Sequence, residues 1–175
     1  MVTLFGDDFG HPVEKPIAPA RHRVLITVKA APNPSATHGE TVCVAGVILG
    51  DLGATGWIRL YPINFRHLPQ ATEQFRKYDI VSVDCRPAGE ARLESWRPNM
   101  ATLRVESFLP PWRRRRDIID PLIEVSMCGL RNRAKADAQA PSLALVRPAE
   151  ILGFRTERHP GWSRDEQAKI DAYVN

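Results

Sequence analysis

The stretch Glu40–Arg66, ETVCVAGVILGDLGATGWIRLYPINFR, constrains what this chain can fold into more than any other. Thr41 to Leu49 is a nearly continuous β-branched and apolar run, the pattern of a strand covered on both faces. A Gly- and Asp-containing connection, Gly50 to Gly56, follows, and the chain then resumes in strict alternation. Ile58 and Leu60 point one way, and Trp57, Arg59 and Tyr61 the other. A strand face that reads aromatic, arginine, aromatic is a platform on which bases can stack, and it is equally an ordinary packing surface.

The flanking segments supply partners for this pair. Pro12, Pro16 and Pro19 predict an extended arm over residues 1–22. Arg23–Lys29 reads as the first strand, and the Pro-, Asn- and Gly-rich loop AAPNPSATHG leads into the central one. In Pro62–Tyr78 the period changes: Phe65, Leu68, Phe75 and Tyr78 suit one buried face of a short helical segment divided at Pro69. Asp79–Arg86 alternates again, with Val81, Val83 and Cys85 inward and Ser82, Asp84 and Arg86 outward. Ala91–Arg97 and Thr102–Phe108 are weaker strands about a turn at Pro98 and Asn99.

Beyond Pro110 and Pro111 the sequence predicts a helical segment, Trp112–Val125, in which Arg113 with Asp117 and Arg116 with Asp120 stand at i,i+4. Arg114 and Arg115 have no such partners. Arg131, Arg133 and Lys135 are spaced by two, which places them on one side of an extended loop within Ser126–Asp137. Ser142–Val146 and Ile151–Arg158 are expected as the last strands. Ser163-Arg164-Asp165-Glu166 is a capping box that starts a helix carrying Ile170, Tyr173 and Val174 on one face. An apolar face confined to the final turn suggests a helix that continues, docks on a partner, or rests on its own domain.

Regular βαβ alternation is absent, which argues against a doubly wound sheet. Short strands with turn signals about every 8–12 residues favour an α+β, mainly β fold: a small antiparallel β-barrel or strongly curved sheet with short peripheral helices. Three parts are expected: the arm 1–22, a β-rich domain 23–162 and a C-terminal helix 163–175.

Lys plus Arg is 24 against 20 for Asp plus Glu, a net charge of +4. The excess is local, because Arg86 to Arg116 holds eight Arg and three Glu. Such a patch attracts phosphates or other anionic partners, or is simply a solvated face. Cys43, Cys85 and Cys128 are odd in number and far apart, so neither a disulfide framework nor a metal site is expected, and they read as small buried hydrophobes. No apolar run reaches the roughly 18 residues that span a membrane. Val2 to Gly10 contains two Asp and lacks the basic and apolar regions of a secretory signal, so the expected location is cytoplasmic.

Catalytic patterns are missing. His38 beside Glu40, with His22 and His67 near other strand ends, could bind a metal or move protons, but neither HxxxH nor HExxH occurs. GxxxxGK[ST], GxGxxG and GxSxG are also absent. No cofactor and no metal is expected, and a non-enzymatic role is favoured.

The block from ETVCVAGV through GWIRLYPINFR, with SLALVRPAEI, is similar to a family of uncharacterised bacterial proteins, a resemblance that brings no activity with it. The layout also resembles small pseudo-barrel nucleic-acid-binding domains of the PUA and ASCH type, by strand order and basicity alone. The expected function is a nucleic-acid-binding module for RNA or single-stranded DNA. Arg59, Arg97, Arg113, Arg114, Arg115 and Arg116 would hold phosphates, and Trp57, Tyr61, Trp96 and Trp112 would stack on bases. Trp96-Arg97 and Trp112-Arg113 each set an aromatic beside a guanidinium, although core packing is the ordinary role of any one tryptophan. The alternatives are a protein-interaction subunit docking through its N-terminal arm or C-terminal helix, and a small-ligand sensor or enzyme near His38, Glu40 and Arg59.

Overall fold

The computed structural model describes residues 17–30, 33–35, 39–64, 75–90, 92–124, 126–158 and 160–174. Its longest antiparallel pair is the central stretch of the sequence, in which β3 (Gly39–Gly50) turns through Asp51 and Leu52 into β4 (Gly53–Asn64). Gly53 closes the turn at φ 122°, a conformation open to glycine. On β4, Ile58 and Leu60 are buried while Trp57, Arg59 and Tyr61 are half-buried on the other face. β3 is apolar on both sides because both are covered: Val42 and Val44 face the main core and Val47 a second one.

β1 (Ala20–Lys29) lies antiparallel between β3 and β5 (Asp79–Pro87). β6 (Ser95–Pro98) pairs antiparallel with β5 and parallel with β4. Hydrogen bonding therefore runs β1-β3-β4-β6-β5 and returns to β1, a ring of strands in a strongly curved sheet. Five strands cannot alternate direction all the way round a ring, so one neighbouring pair has to be parallel. The β4–β6 pair is the point at which the sheet becomes mixed rather than antiparallel throughout. β2 (Asn33–Ser35) adds to β3, and β7 (Arg104–Phe108) to β5.

Val24, Ile26, Ile58, Leu60, Val81 and Val83 fill the interior of the ring. At Gly46 two strands meet so closely that a Cβ would lie 2.5 Å from the Leu25 carbonyl oxygen and from the Val24 side chain. On the outer face Ile80, Leu25, Val47 and Trp57 stand in register as a row across four adjacent strands. The row is covered by Leu109, by Ile118 and Ile119 of helix α1 (Arg113–Ile119), and by Leu122 of the following 3-10 turn. The molecule is thus mainly β with short peripheral helices, the class that the sequence predicts.

Several local expectations are overturned. Ser126–Asp137 is not an extended loop but helix α2 (Met127–Ala136), because the Ser126 hydroxyl caps it by accepting the Gly129 N–H at 3.0 Å and the segment is rich in helix formers. Nothing obliges its three cations to share a face. Ile151–Arg158 forms no strand: β9 (Leu145–Val146) pairs with β8 (Ile123–Glu124), and the described residues then run irregularly to helix α3 (Arg164–Val174). Cys85 is buried, and burial, with the charge of Asp84 adding, pushes its thiol up to about 12. Cys43 is half-buried, and Cys128 is exposed on α2 rather than buried. Most of the helix expected within Pro62–Tyr78, including Phe65, His67 and Leu68, lies outside the described residues.

The capping box is present: the Glu166 N–H donates to Ser163 Oγ at 3.3 Å, and the Ser163 N–H donates to Glu166 Oε2 at 2.8 Å. α3 packs against β2 and β3 with Ile170 buried, so this helix rests on its own chain.

Candidate nucleic-acid interface

After Pro110 and Pro111 the chain turns onto the outer face of the sheet, where α1 sets Ile118 and Ile119 down on the second core. Its opposite side is thereby left to solvent, and Arg114 and Arg116 are exposed there. Arg116 pairs with Asp120 at 3.3 Å, as their spacing predicts. Trp112 stands at the head of the helix with φ 52° and ψ −68°. A bulky residue in that left-handed region is strained by about 1–3 kcal/mol. Its indole is 70% exposed.

Beside this turn, cations and aromatic rings alternate. The Arg115 guanidinium carbon sits 3.5 Å from the centre of the Tyr78 ring and 5.7 Å from that of Phe108. Arg115 Nε and Nη2 both donate to the Leu109 carbonyl, at 3.2 and 3.1 Å, which holds the plane in place. Arg76 lies 4.7 Å over the other end of this array at Phe108, and Lys77 lies 5.1 Å over Tyr78. Buried Asp79 accepts the Arg76 N–H at 2.6 Å and fixes the turn. Phe108 keeps 42% of its surface exposed. The result is an aromatic surface of half-buried Tyr78 and exposed Phe108 with guanidinium and ammonium groups stacked on it, each such contact contributing about 0.5–2 kcal/mol.

The residues singled out in the sequence are distributed differently. Trp112, Arg114, Arg115 and Arg116 come together here, and of Arg113 the backbone alone is described. Trp57 is half-buried beneath α1 in the second core. Trp96 is 4% exposed in the ring interior, with the His22 ring edge-on at 4.4 Å, and presents no open face. Arg97 is exposed opposite exposed Arg86 on β5. Arg59 donates to Cys43 Sγ at 3.1 Å, pairs with Glu90 at 3.4 Å and lies 5.3 Å from the Tyr61 ring. Burial works against its charge, but Cys43 and Glu90 outweigh it and hold the guanidinium pKa above its ordinary value. Thr41 Oγ1 donates to the Tyr61 hydroxyl at 3.4 Å. His38 lies outside the described residues, as does the side chain of Glu40.

Arg76, Lys77, Tyr78 and Phe108 are missed by the sequence reading because they lie at strand ends, where periodicity says nothing. Arg76-Lys77-Tyr78 does repeat the mixture that draws attention to Trp96-Arg97. A cleft of about 500 Å³ opens at the end of α1, lined by Arg116, Asp117, Asp120 and Pro121. Its two carboxylates disfavour a phosphate there. Among the described residues no group of three or more His, Cys, Asp or Glu side chains is placed to hold a metal ion, and no helix is long and apolar enough to cross a membrane.

Residues 20–121 match the model of a domain of unknown function, DUF8758. The chain belongs to the DUF8758 family. Residues 123–175 match the model of a second domain of unknown function, DUF8757. No curated protein and no solved structure matches the chain.

The strand ring, the Arg–aromatic array and α1 all lie within the DUF8758 segment, and specific polar contacts join the DUF8757 segment to it. Glu94 Oε1 accepts both the Ser142 N–H at 2.8 Å and the Ser142 hydroxyl at 2.6 Å. Asp120 accepts Arg147 at 3.0 Å while also holding Arg116. With Ile170 buried where α3 meets β2 and β3, the second segment is attached to the DUF8758 segment both midway along its length, through Ser142 and Arg147, and at its C-terminal helix.

Proposed function

We propose that this DUF8758 chain is a nucleic-acid-binding module that takes RNA or single-stranded DNA across the array of Arg76, Tyr78, Phe108, Trp112, Arg114 and Arg115. The observation that carries the reading is the exposure of Trp112 at a strained position three residues before Arg115, whose guanidinium stacks on Tyr78. An aromatic face in water is a stacking surface for any base, and the guanidinium groups around it suit the intervening phosphates. Arg86 and Arg97, directly opposed like charges on neighbouring strands, repel unless an anion lies between them, and so provide a second place for the backbone. The likeness to PUA and ASCH domains, a bacterial origin and a cytoplasmic location belong to the same proposal, the first of them as fold-level analogy.

The test is fluorescence anisotropy with labelled single-stranded oligonucleotides. Affinity falls by about 10² or more between about 50 and 200 mM salt if four or five arginines meet phosphate. Trp112→Ala weakens binding by about 1–3 kcal/mol with the melting temperature unchanged. Trp57→Ala lowers the melting temperature instead, because it empties the floor under α1. Loss of binding without any salt dependence, or a Trp112→Ala variant that binds normally, refutes the reading.

A second reading, a protein-interaction subunit, is favoured by the irregular segment after β9, where Ile151, Leu152 and Phe154 are exposed, Phe154 at 91%. Purification at low salt separates the two: nucleic acid carried through by the wild type and lost by Trp112→Ala supports the first, and its absence throughout favours the second.

A further inference from the structure

We infer that helix α2 is a second phosphate-contacting element, so that one nucleic-acid strand runs from the DUF8758 array onto the DUF8757 segment. The inference rests on the nucleic-acid reading above and extends it to residues that neither the Arg–aromatic array nor the family matches single out. α2 has ten residues and buries none of them. A helix so short is marginal by itself, and here only half-buried Leu130 gives it any packing. Its sequence, MCGLRNRAKA, contains three cations and no acid. Arg133 is spent on Glu124 at 2.9 Å, a contact that ties the helix to β8. Arg131 and Lys135, at i,i+4, share the opposite stripe, are exposed, and make no ion pair among the described residues.

Position sets this stripe near the proposed interface along the chain, with the acidic cleft of Asp117 and Asp120 between them to be spanned without a phosphate contact. Arg116 at the end of α1 is held by Asp120, and Arg133 of α2 by Glu124. Glu124 follows Asp120 by four positions, which bounds the distance between their Cα atoms at about 14 Å. Arg116 and Arg133 are therefore anchored within the span of a few nucleotides, and Arg131 and Lys135 lie within one helical turn of Arg133, well inside the roughly 4–16 nucleotides that small single-strand-binding folds cover. The chemistry of the stripe selects the occupant. Met127 is its one large exposed apolar residue, too little to insert into a lipid surface, while two cations on a regular spacing, without an ion pair among the described residues, complement a phosphate chain. DNA or RNA backbone, rather than base edges, is what they read.

The test uses the full chain and labelled oligo-dT and oligo-U of two lengths, about 6 and about 24 nucleotides, chosen to bracket that site size. In Arg131→Gln/Lys135→Gln the helix formers are retained, and circular dichroism checks that α2 persists. With the longer probe, losing two phosphate contacts lowers the slope of log affinity against log salt by about 1.4, and affinity at low salt by about tenfold. With the shorter probe, which is covered by the Trp112 surface, affinity stays at the wild-type value. Arg131→Glu/Lys135→Glu deepens the loss with the longer probe. An unchanged slope in both variants, while the wild type binds, overturns the role of α2 and leaves the primary interface standing. Equal losses with both probes also overturn it, by showing no length-dependent contact. If the wild type binds neither probe, the nucleic-acid reading and this inference fall together, and binding of the stripe to an acidic peptide instead would assign it to a protein partner.

Discussion

Ser142→Ala tests the joint between the two family segments. In the folded chain both the N–H and the hydroxyl of Ser142 donate to one oxygen of Glu94, at 2.8 and 2.6 Å, while the other carboxylate oxygen is buried without a partner. Hydrogen bonds to a charged group contribute about 1.5–3 kcal/mol each. Removing the hydroxyl and leaving the backbone bond should therefore cost about 2 kcal/mol in urea unfolding at neutral pH. The loss also carries a pH signature. Burial alone would raise the Glu94 carboxyl, but the two Ser142 bonds, its own backbone N–H and Arg92 outweigh that, and its pKa lies below the ordinary 4.5. A depressed folded-state value means that the unfolded chain takes up the proton first, so the stabilisation is complete above 4.5 and is lost as pH falls through the folded value. The difference between wild type and Ser142→Ala should accordingly be about 2 kcal/mol at neutral pH and shrink steadily as the solution is acidified below 4.5. A double-mutant cycle with Glu94→Gln isolates the pair from everything else that titrates in that range. A difference that is independent of pH, or a coupling below about 0.5 kcal/mol, would show that Glu94 does not hold the second segment.

Two further predictions concern the ring itself. Burial lowers the His22 pKa from 6.5, so the unfolded chain binds a proton more readily; stability should be full above 6.5 and fall as pH drops below it, with a steeper decline between about pH 7.5 and 5.5 for wild type than for His22→Gln. Parallel melting curves for the two proteins over that range would contradict this. Gly46→Ala drives a Cβ to within 2.5 Å of a backbone carbonyl that cannot swing aside, and should cost at least about 3 kcal/mol by denaturant midpoint. A loss under about 1 kcal/mol would mean that β1 and β3 separate freely at the bulge.

Legibility in the sequence followed the physics of each element. Alternation in β4 and β5, and the doubly apolar run of β3, were readable because each residue's environment is set by period two and by whether a face is covered. The outer row Ile80, Leu25, Val47 and Trp57 was not, since it exists only through register between strands far apart in sequence. For the same reason Trp57 read as a platform residue when it supports α1. The spacing of Arg131, Arg133 and Lys135 points to a loop only if three cations must share a face, a condition that folding does not impose; Ser126 as a cap is the better signal. In the candidate interface the four-arginine run and Trp112 were visible as composition. Tyr78 and Phe108 were not, because they reach Arg115 through tertiary contacts at strand ends.

The closure of the ring also sets the order in which the molecule can be assembled. β1 is synthesised well before its second partner: Arg21 and Asp84, which meet across β1 and β5, are separated by 63 residues. Until β5 arrives, a nascent sheet of β1, β3 and β4 has two open edges, with Val24, Leu25 and Ile26 displayed on one of them. Pairings of such long sequence separation incur their loop entropy before any contact rewards it, and so fold slowly. Open apolar edges meanwhile invite pairing with other chains. Chains truncated before Asp79 should therefore aggregate, whereas those long enough to carry both β5 and β6 can seal the ring.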